Sequence, residues 1–269
     1  MLNNRKLGWI KDLPDNRDYI YTIMAGKVIK DTSPVDLRPY MPPVRDQGQL
    51  GACTAFGATS LVHFARRKQK LQEWAPAPLF TYYTTRQIEN TVSKDAGAMV
   101  RDALKSAVVY GVVPESMYPY IISKFATKPL PSIYTEAEKH QTLPDYRNVN
   151  GKLVNLGYYR LIDGKLADML ACLAEGYPFM FGMSVYPAFV STTVAKTGIV
   201  PAPGVKERTI GGHCMTCVGW KLINNIQYFI VLNSWGVNWG DKGYCYIPFS
   251  YMSDPNQTND LWTIRLEEV

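Results

Sequence analysis

The chain has 269 residues, 46% of them hydrophobic and 19% charged, enough for one large domain or for two lobes sharing an interface and a substantial core. Its net charge of +6 is mild, and basic pairs such as Arg66-Arg67 fall on a predicted helix, so no basic run or aromatic–basic repeat points to nucleic acid. No window is apolar for long enough to cross a membrane, no signal-peptide stretch follows the opening Met-Leu-Asn-Asn-Arg-Lys, and an odd number of cysteines (5) argues against a disulfide framework. The expectation is an intracellular or non-classically exported protein.

Residues 1–35 are rich in polar and turn-forming residues, including Leu13-Pro14-Asp15-Asn16-Arg17-Asp18. They are too few to bury a core of their own and read as an extension laid along a surface. The proline-rich loop from Pro39 to Pro43 leads into Arg45-Asp46-Gln47-Gly48. From Cys53 to Lys70 the residues Ala55, Phe56, Ala58, Leu61, Val62, Phe64 and Ala65 recur at helical spacing, and a basic tail suits the helix C-terminus. Pro78 to Glu89 and Val100 to Tyr110 predict two more helices. Ile122 to Asn155 is turn-rich and shows no clear period. Leu166 to Glu175 predicts a helix stopped by Gly176, and Phe179 to Val185, His213 to Leu222, Gln227 to Asn233 and Gly243 to Ile247 predict strands. Helices first and strands later indicate an α+β protein with two unlike lobes.

Cys53 stands in the first turn of the best-predicted helix, where unpaired N–H groups and the helix dipole favour thiolate over thiol. Taken alone it reads better as a buried, unreactive cysteine. A nucleophile needs a base, and there are three histidines. His63 lies ten residues along the same helix, about 15 Å away by the standard rise, too far to reach the sulfur. His140 falls in the polar stretch Glu138-Lys139-His140-Gln141 and reads as exposed. His213 follows two glycines and opens an apolar run, so its ring can project from a strand end into a cleft. Asn233 ends another apolar run and can orient that ring, with Trp235 covering the bond from water. Gln47, six residues before Cys53, can donate to an oxyanion beside the Cys53 backbone N–H. Cys214 and Cys217, three apart in a strand, point to opposite faces and read as buried thiols, not metal ligands. No metal or cofactor is expected.

The chain resembles the papain-like cysteine peptidases. The likeness runs from Val35-Asp36-Leu37-Arg38 to near the C-terminus, through the nucleophile segment Gln47 to Phe56 and through Asn233-Ser234-Trp235-Gly236-x-x-Trp239-Gly240-x-x-Gly243-Tyr244, in the order Cys, His, Asn. The resemblance implies a papain-like two-lobe fold, with a helical left lobe over roughly 36–120 that carries the nucleophile helix. It implies a β-barrel-like right lobe over roughly 121–250 and a tail over 251–269 returning across the lobes, the whole peptidase domain covering 32–269. It implies substrate lying between the lobes, with Gly97 and Ala98 pairing with its backbone. Gly182 and Gly211 would fall near the pocket for the side chain two residues before the cut, with Gly212 and Trp235 also contacting substrate.

The departures from the family are specific. Leu50 and Asp95 stand where members from oxidising compartments have a bridged cysteine pair, and Thr54 replaces the usual tryptophan. Both are features of disulfide-poor microbial and viral branches. Residues 1–31 take the place of a long helical propeptide, either as a short propeptide or lid over the cleft or as an extension packed behind one lobe. The implied function is hydrolysis of peptide bonds through a Cys–His–Asn site and an acyl-enzyme, with peptide or protein as partner and neither nucleic acid nor membrane. Acyl transfer of transglutaminase type and non-catalytic peptide binding are the alternatives.

Overall fold

A computed structural model describes residues 5–21, 33–141, 157–204 and 206–264, with backbone alone at 147–149 and 152–154. In chain order the strands are β1 (Trp9–Ile10), β2 (Val35–Asp36), β3 (Ala98–Met99), β4 (Arg147–Val149), β5 (Lys152–Val154), β6 (Tyr158–Arg160), β7 (Phe179–Val185), β8 (Gly211–Ile223), β9 (Ile226–Leu232), β10 (Tyr244–Pro248) and β11 (Thr258–Ile264). The helices are α1 (Cys53–Lys68), α2 (Pro78–Ile88), α3 (Val100–Val109), α4 (Pro131–Glu138), α5 (Leu166–Ala174), α6 (Thr192–Thr197) and α7 (Phe249–Met252).

Helix α1 is buried on all sides from Cys53 to Ala65, not along one face. Small residues make this possible. At Gly57 an added Cβ would lie 2.9 Å from Met180 Cε, so the sheet packs directly on the helix backbone. Helices α2 and α3 pack around α1, and Leu61, Val62, Ala103 and Leu104 fill the space between. Arg86 at the end of α2 is fully buried and donates to the carbonyls of Tyr82, Val92, Lys94 and Phe125. A buried guanidinium must satisfy its donors, and here they gather the loop that carries Asp95 and Gly97.

The second layer is a mainly antiparallel sheet in the order β10-β9-β8-β7-β11-β6, with β2 paired to β8. Register puts Met183 opposite His213 and Gly182 opposite Cys214. Its core is aromatic, with Phe229 stacked on Phe249 at 4.2 Å. Cys214 packs with Cys53 and Met180, whereas Cys217 packs in the other core beside Phe229, in keeping with opposite faces of one strand.

The predicted strands are present within two residues at each end. The region expected as a returning tail contains β11, which lies inside the sheet between β7 and β6. Between the pairs Asn259–Gly182 and Trp262–Met180, two residues of β11 face one of β7, which makes a bulge at Asp260-Leu261. The turn-rich stretch after residue 121 holds α4, and the part of it at 142–146, 150–151 and 155–156 lies outside the described residues, as does the extension at 1–4 and 22–32.

Candidate active site

Cys53 opens α1 behind Ala52, which provides no side-chain cap. The first-turn amides therefore remain available, and the sulfur lies against the backbone N–H groups of Cys214, Gly8, Thr54 and Cys53. Cys214 directly follows His213, so β8 brings the histidine backbone beside Cys53. The His213 ring is fully buried, and its Nε2 lies 2.8 Å from Asn233 Oδ1, which marks Nε2 as the protonated nitrogen and the Asn oxygen as acceptor. The Ser234 N–H also donates to that oxygen at 2.8 Å and fixes the amide orientation. His213 Nδ1 has no hydrogen-bond partner among the described residues. Trp235 lies over the imidazole with centroids 4.9 Å apart and planes at 33°, and Phe189 and Trp239 close the pocket behind it.

Gln47 is held by a residue the sequence reading did not single out. Ser234 Oγ donates to Gln47 Oε1 at 2.6 Å, which leaves the amide nitrogen as the donor, one N–H going to the Leu50 carbonyl at 2.8 Å and the other free for a second acceptor. Its signal was present, since Ser234 sits inside the Asn-Ser-Trp-Gly motif, but serine in a motif does not announce a partner 187 residues away. Backbone bonds join the same two segments, Gln47 N–H to Ser234 O at 2.8 Å and Gly236 N–H to Arg45 O at 3.1 Å.

Residues 5–12 run through this cleft. Arg5 pairs with Asp46, and Lys6 Nζ with Asp95 at 2.6 Å. Gln47 Nε2 donates to the Lys6 carbonyl at 3.1 Å. The Ala98 N–H donates to Gly8 O at 2.8 Å, and β1 runs parallel to β3, pairing Trp9 with Ala98. Leu7 lies on Gly211, and Trp9 lies on Gly182 and Gly212 so closely that a Cβ at either glycine would come within 2.5 Å of the ring. The structure thus brings together Cys53, His213, Asn233, Gln47, Gly97, Ala98, Gly182, Gly211, Gly212 and Trp235. His63 instead pairs with Glu73 at 3.4 Å. His140 is half-buried against Glu136 and the edge of Trp74, not exposed as its polar neighbours suggested, because α4 turns it back toward the helical layer.

The expected thiolate is not favoured in this closed arrangement. Burial pushes the Cys53 thiol up to about 11 despite its four amide neighbours, and burial pushes His213 down to about 4 against the Asn233 hydrogen bond. Both shifts disfavour the charged forms. Among the described residues no group of three or more His, Cys, Asp or Glu is placed to hold a metal ion. All five cysteines are free, and Asp95, at the expected bridge position, instead accepts from the Gly51 N–H at 3.0 Å and holds the nucleophile loop. At Gly8 an added Cβ would meet Gly51 O at 2.1 Å. Gly8→Val therefore lifts the segment, and mass-spectrometric mapping of iodoacetamide labelling at neutral pH is expected to show slow modification of Cys53 in the unaltered chain and fast, selective modification in the variant.

Comparison with known proteins agrees with this geometry. A model of the papain family of cysteine proteases matches residues 32–254. An uncharacterised peptidase C1-like protein of Acanthamoeba polyphaga mimivirus is 35% identical over 97% of this chain and 87% of its own. Cysteine proteinase 3 of Entamoeba histolytica is 27% identical over 78% of the chain, which spans 60% of that longer protein. Among solved structures, xylellain, a cysteine protease from Xylella fastidiosa, superposes with a TM-score of 0.86 at 33% identity, covering 98% of this chain and 97% of that one. The chain belongs to the papain family of cysteine proteases.

Proposed function

We propose that the chain is an endopeptidase in which Cys53 is the nucleophile, His213 the base and then acid, Asn233 the residue that orients His213, and Gln47 an oxyanion donor together with the Cys53 backbone N–H. His213 Nδ1 takes the thiol proton as the sulfur bonds to the scissile carbonyl carbon. The same nitrogen then protonates the departing amine, and water, deprotonated by the imidazole, releases the acid from the thioester. The observation that carries this reading is the Lys6 carbonyl: a peptide C=O already accepts from Gln47 Nε2 at 3.1 Å.

In this reading the extension is a lid. A substrate places the residues before its scissile carbonyl toward Gly182 and Gly212, but Trp9, which occupies that place, follows the Lys6 carbonyl in the chain. The segment runs backward, so it fills the cleft without presenting a leaving amine to His213. Once the segment is displaced, His213→Ala is expected to lower kcat/KM on a peptide substrate by roughly 10²–10⁴-fold, and Gln47→Ala by about 10²-fold, mostly in kcat. Ser234→Ala is expected to fall between Gln47→Ala and the unaltered chain, because it removes one of the two anchors of the Gln47 amide and leaves the Leu50 carbonyl as the other. Equal rates in all four would contradict these roles.

Closure is linked to pH through Asp12. Its carboxylate faces Asp260, the Arg101 backbone amide and the Trp262 indole, which donates to it at 2.9 Å, while the Arg101 guanidinium pairs with Asp18 at 2.7 Å. Burial first, and the Asp260 charge second, raise Asp12 to about 7. The seated segment holds a proton that a solvated aspartate releases near pH 4, roughly. The contribution to closure is therefore full below that value and is lost as pH rises through about 7. Hydrogen-exchange protection of the Ala98 amide, corrected for intrinsic rate, is expected to fall by up to about tenfold per pH unit in that window. Asp12→Asn is expected to flatten the dependence.

A further inference from the structure

The Gln47 amide is anchored at both of its polar atoms. Ser234 Oγ holds Oε1 at 2.6 Å, and the Leu50 carbonyl takes one Nε2 hydrogen at 2.8 Å. The second hydrogen is thereby aimed at the Lys6 carbonyl. The Leu50 carbonyl belongs to a peptide unit whose other end is the Gly51 N–H. That N–H donates to Asp95, at 3.0 Å to Oδ1 and 3.2 Å to Oδ2. The unit is a rigid plane, so a partner that fixes its N–H also fixes where its carbonyl points.

Asp95 is itself held from a different part of the chain. Tyr82, buried in the middle of α2, donates its hydroxyl to Asp95 Oδ1 at 2.5 Å and accepts the Gly97 N–H at 3.1 Å. Burial first, and the bond to Asp95 second, raise the Tyr82 hydroxyl above the ordinary tyrosine range, so it stays a donor. Arg86 holds the carbonyl of Lys94, the residue before Asp95, at 2.8 Å and lies 4.0 Å over the Tyr82 ring. The Leu50 side chain packs in the same apolar cluster as Tyr82. A carboxylate offers only acceptors, and this one is 14% exposed. Turning the Leu50–Gly51 plane over would set the Leu50 carbonyl against the carboxylate and remove one of its donors, which a part-buried group resists.

We propose that Asp95 is a positioning residue for the oxyanion donor: it acts through the Leu50–Gly51 peptide to keep the Gln47 amide aimed at the reacting carbonyl oxygen. A disulfide at this place would tie two loops together, but it has no strong acceptor with which to choose one face of that peptide. Removing the carboxylate therefore weakens an interaction made to the transition state and leaves substrate binding and the thiol in place. This inference rests on the reading of Cys53 as nucleophile and Gln47 as oxyanion donor.

The test uses the full chain carrying Gly8→Val, in which the lifted segment keeps loss of the Lys6–Asp95 pair out of the comparison. Asp95→Ala and Gln47→Ala are combined in a double-mutant cycle on one peptide substrate. Asp95→Ala is expected to lower kcat about tenfold with KM nearly unchanged when Gln47 is present, and less than about twofold when Gln47 is alanine. Asp95→Asn keeps an oxygen for the Gly51 N–H and the Tyr82 hydroxyl and is expected to retain most of kcat. Tyr82→Phe, which loosens Asp95 but leaves it in place, is expected to repeat the Asp95→Ala pattern at smaller size and serves where Asp95→Ala does not accumulate as folded protein. Iodoacetamide labelling of Cys53 is expected to stay fast throughout. Equal losses in the two Gln47 backgrounds, a loss carried by KM, slowed labelling of Cys53, or an Asp95→Asn variant as impaired as Asp95→Ala each overturns the proposal. A Gly8→Val parent that cleaves no peptide and labels all cysteines slowly overturns the Cys53–His213 reading, and this inference with it.

Discussion

Two short segments meet across the cleft, and the positions of the proposed reacting groups follow from how they meet. Gln47 N–H donates to Ser234 O at 2.8 Å, Gly236 N–H to Arg45 O at 3.1 Å, and Ser234 Oγ to Gln47 Oε1 at 2.6 Å. On one side of this bridge the chain turns directly into α1 and Cys53. On the other it comes directly from β9 and Asn233. Distances between groups in different layers are thus held by a few buried hydrogen bonds, which cost free energy to leave unmade and so resist sliding. A disulfide in the nucleophile loop is unnecessary when Asp95 accepts from the Gly51 N–H and the Tyr82 hydroxyl, itself bonded by the Gly97 N–H.

In the proposed reading, the closed cleft keeps the Cys53–His213 pair quiet without removing either member. The N-terminal amides of α1 and the Asn233 oxygen both favour the charged forms of Cys53 and His213, but burial of the two groups outweighs them. In the same reading the segment favours its own release as pH rises, because seating it brings the Asp12 carboxylate against Asp260. The ion pairs of Arg5 with Asp46 and Lys6 with Asp95 lie nearer the surface and set direction and register more than affinity.

Much of the fold was legible because long periodic runs decide their own structure. β7 was predicted from Phe179 to Val185 and is found there, and α1 differs from its predicted extent by two residues at its frayed end. The pairing of His213 with Asn233 was legible because the other histidines could be eliminated by distance and context. What escaped has a common cause. β1 and β3 are two residues each and exist only because they pair with one another across 89 residues of sequence. β11 alternates weakly, since Asp260 and its bulge break the period that would have marked Thr258 to Ile264 as a strand. Ser234 and Asp260 acquire their chemical meaning from partners no local pattern names, and the partial burial of His140 comes from packing on Trp74, 66 residues earlier, which its polar neighbours do not announce.

The central claim is that Cys53, His213, Asn233 and Gln47 form one site whose carbonyl position is now held by Lys6. It is tested most directly by determining the structure of the full chain after reaction with a peptide aldehyde, which forms a reversible thiohemiacetal. The account predicts a bond from Cys53 Sγ to the aldehyde carbon, its oxygen accepting from Gln47 Nε2 in place of the Lys6 carbonyl, and residues 5–12 displaced. An adduct on any other cysteine, or an adduct on Cys53 whose oxygen points away from Gln47 while residues 5–12 stay seated, would contradict it.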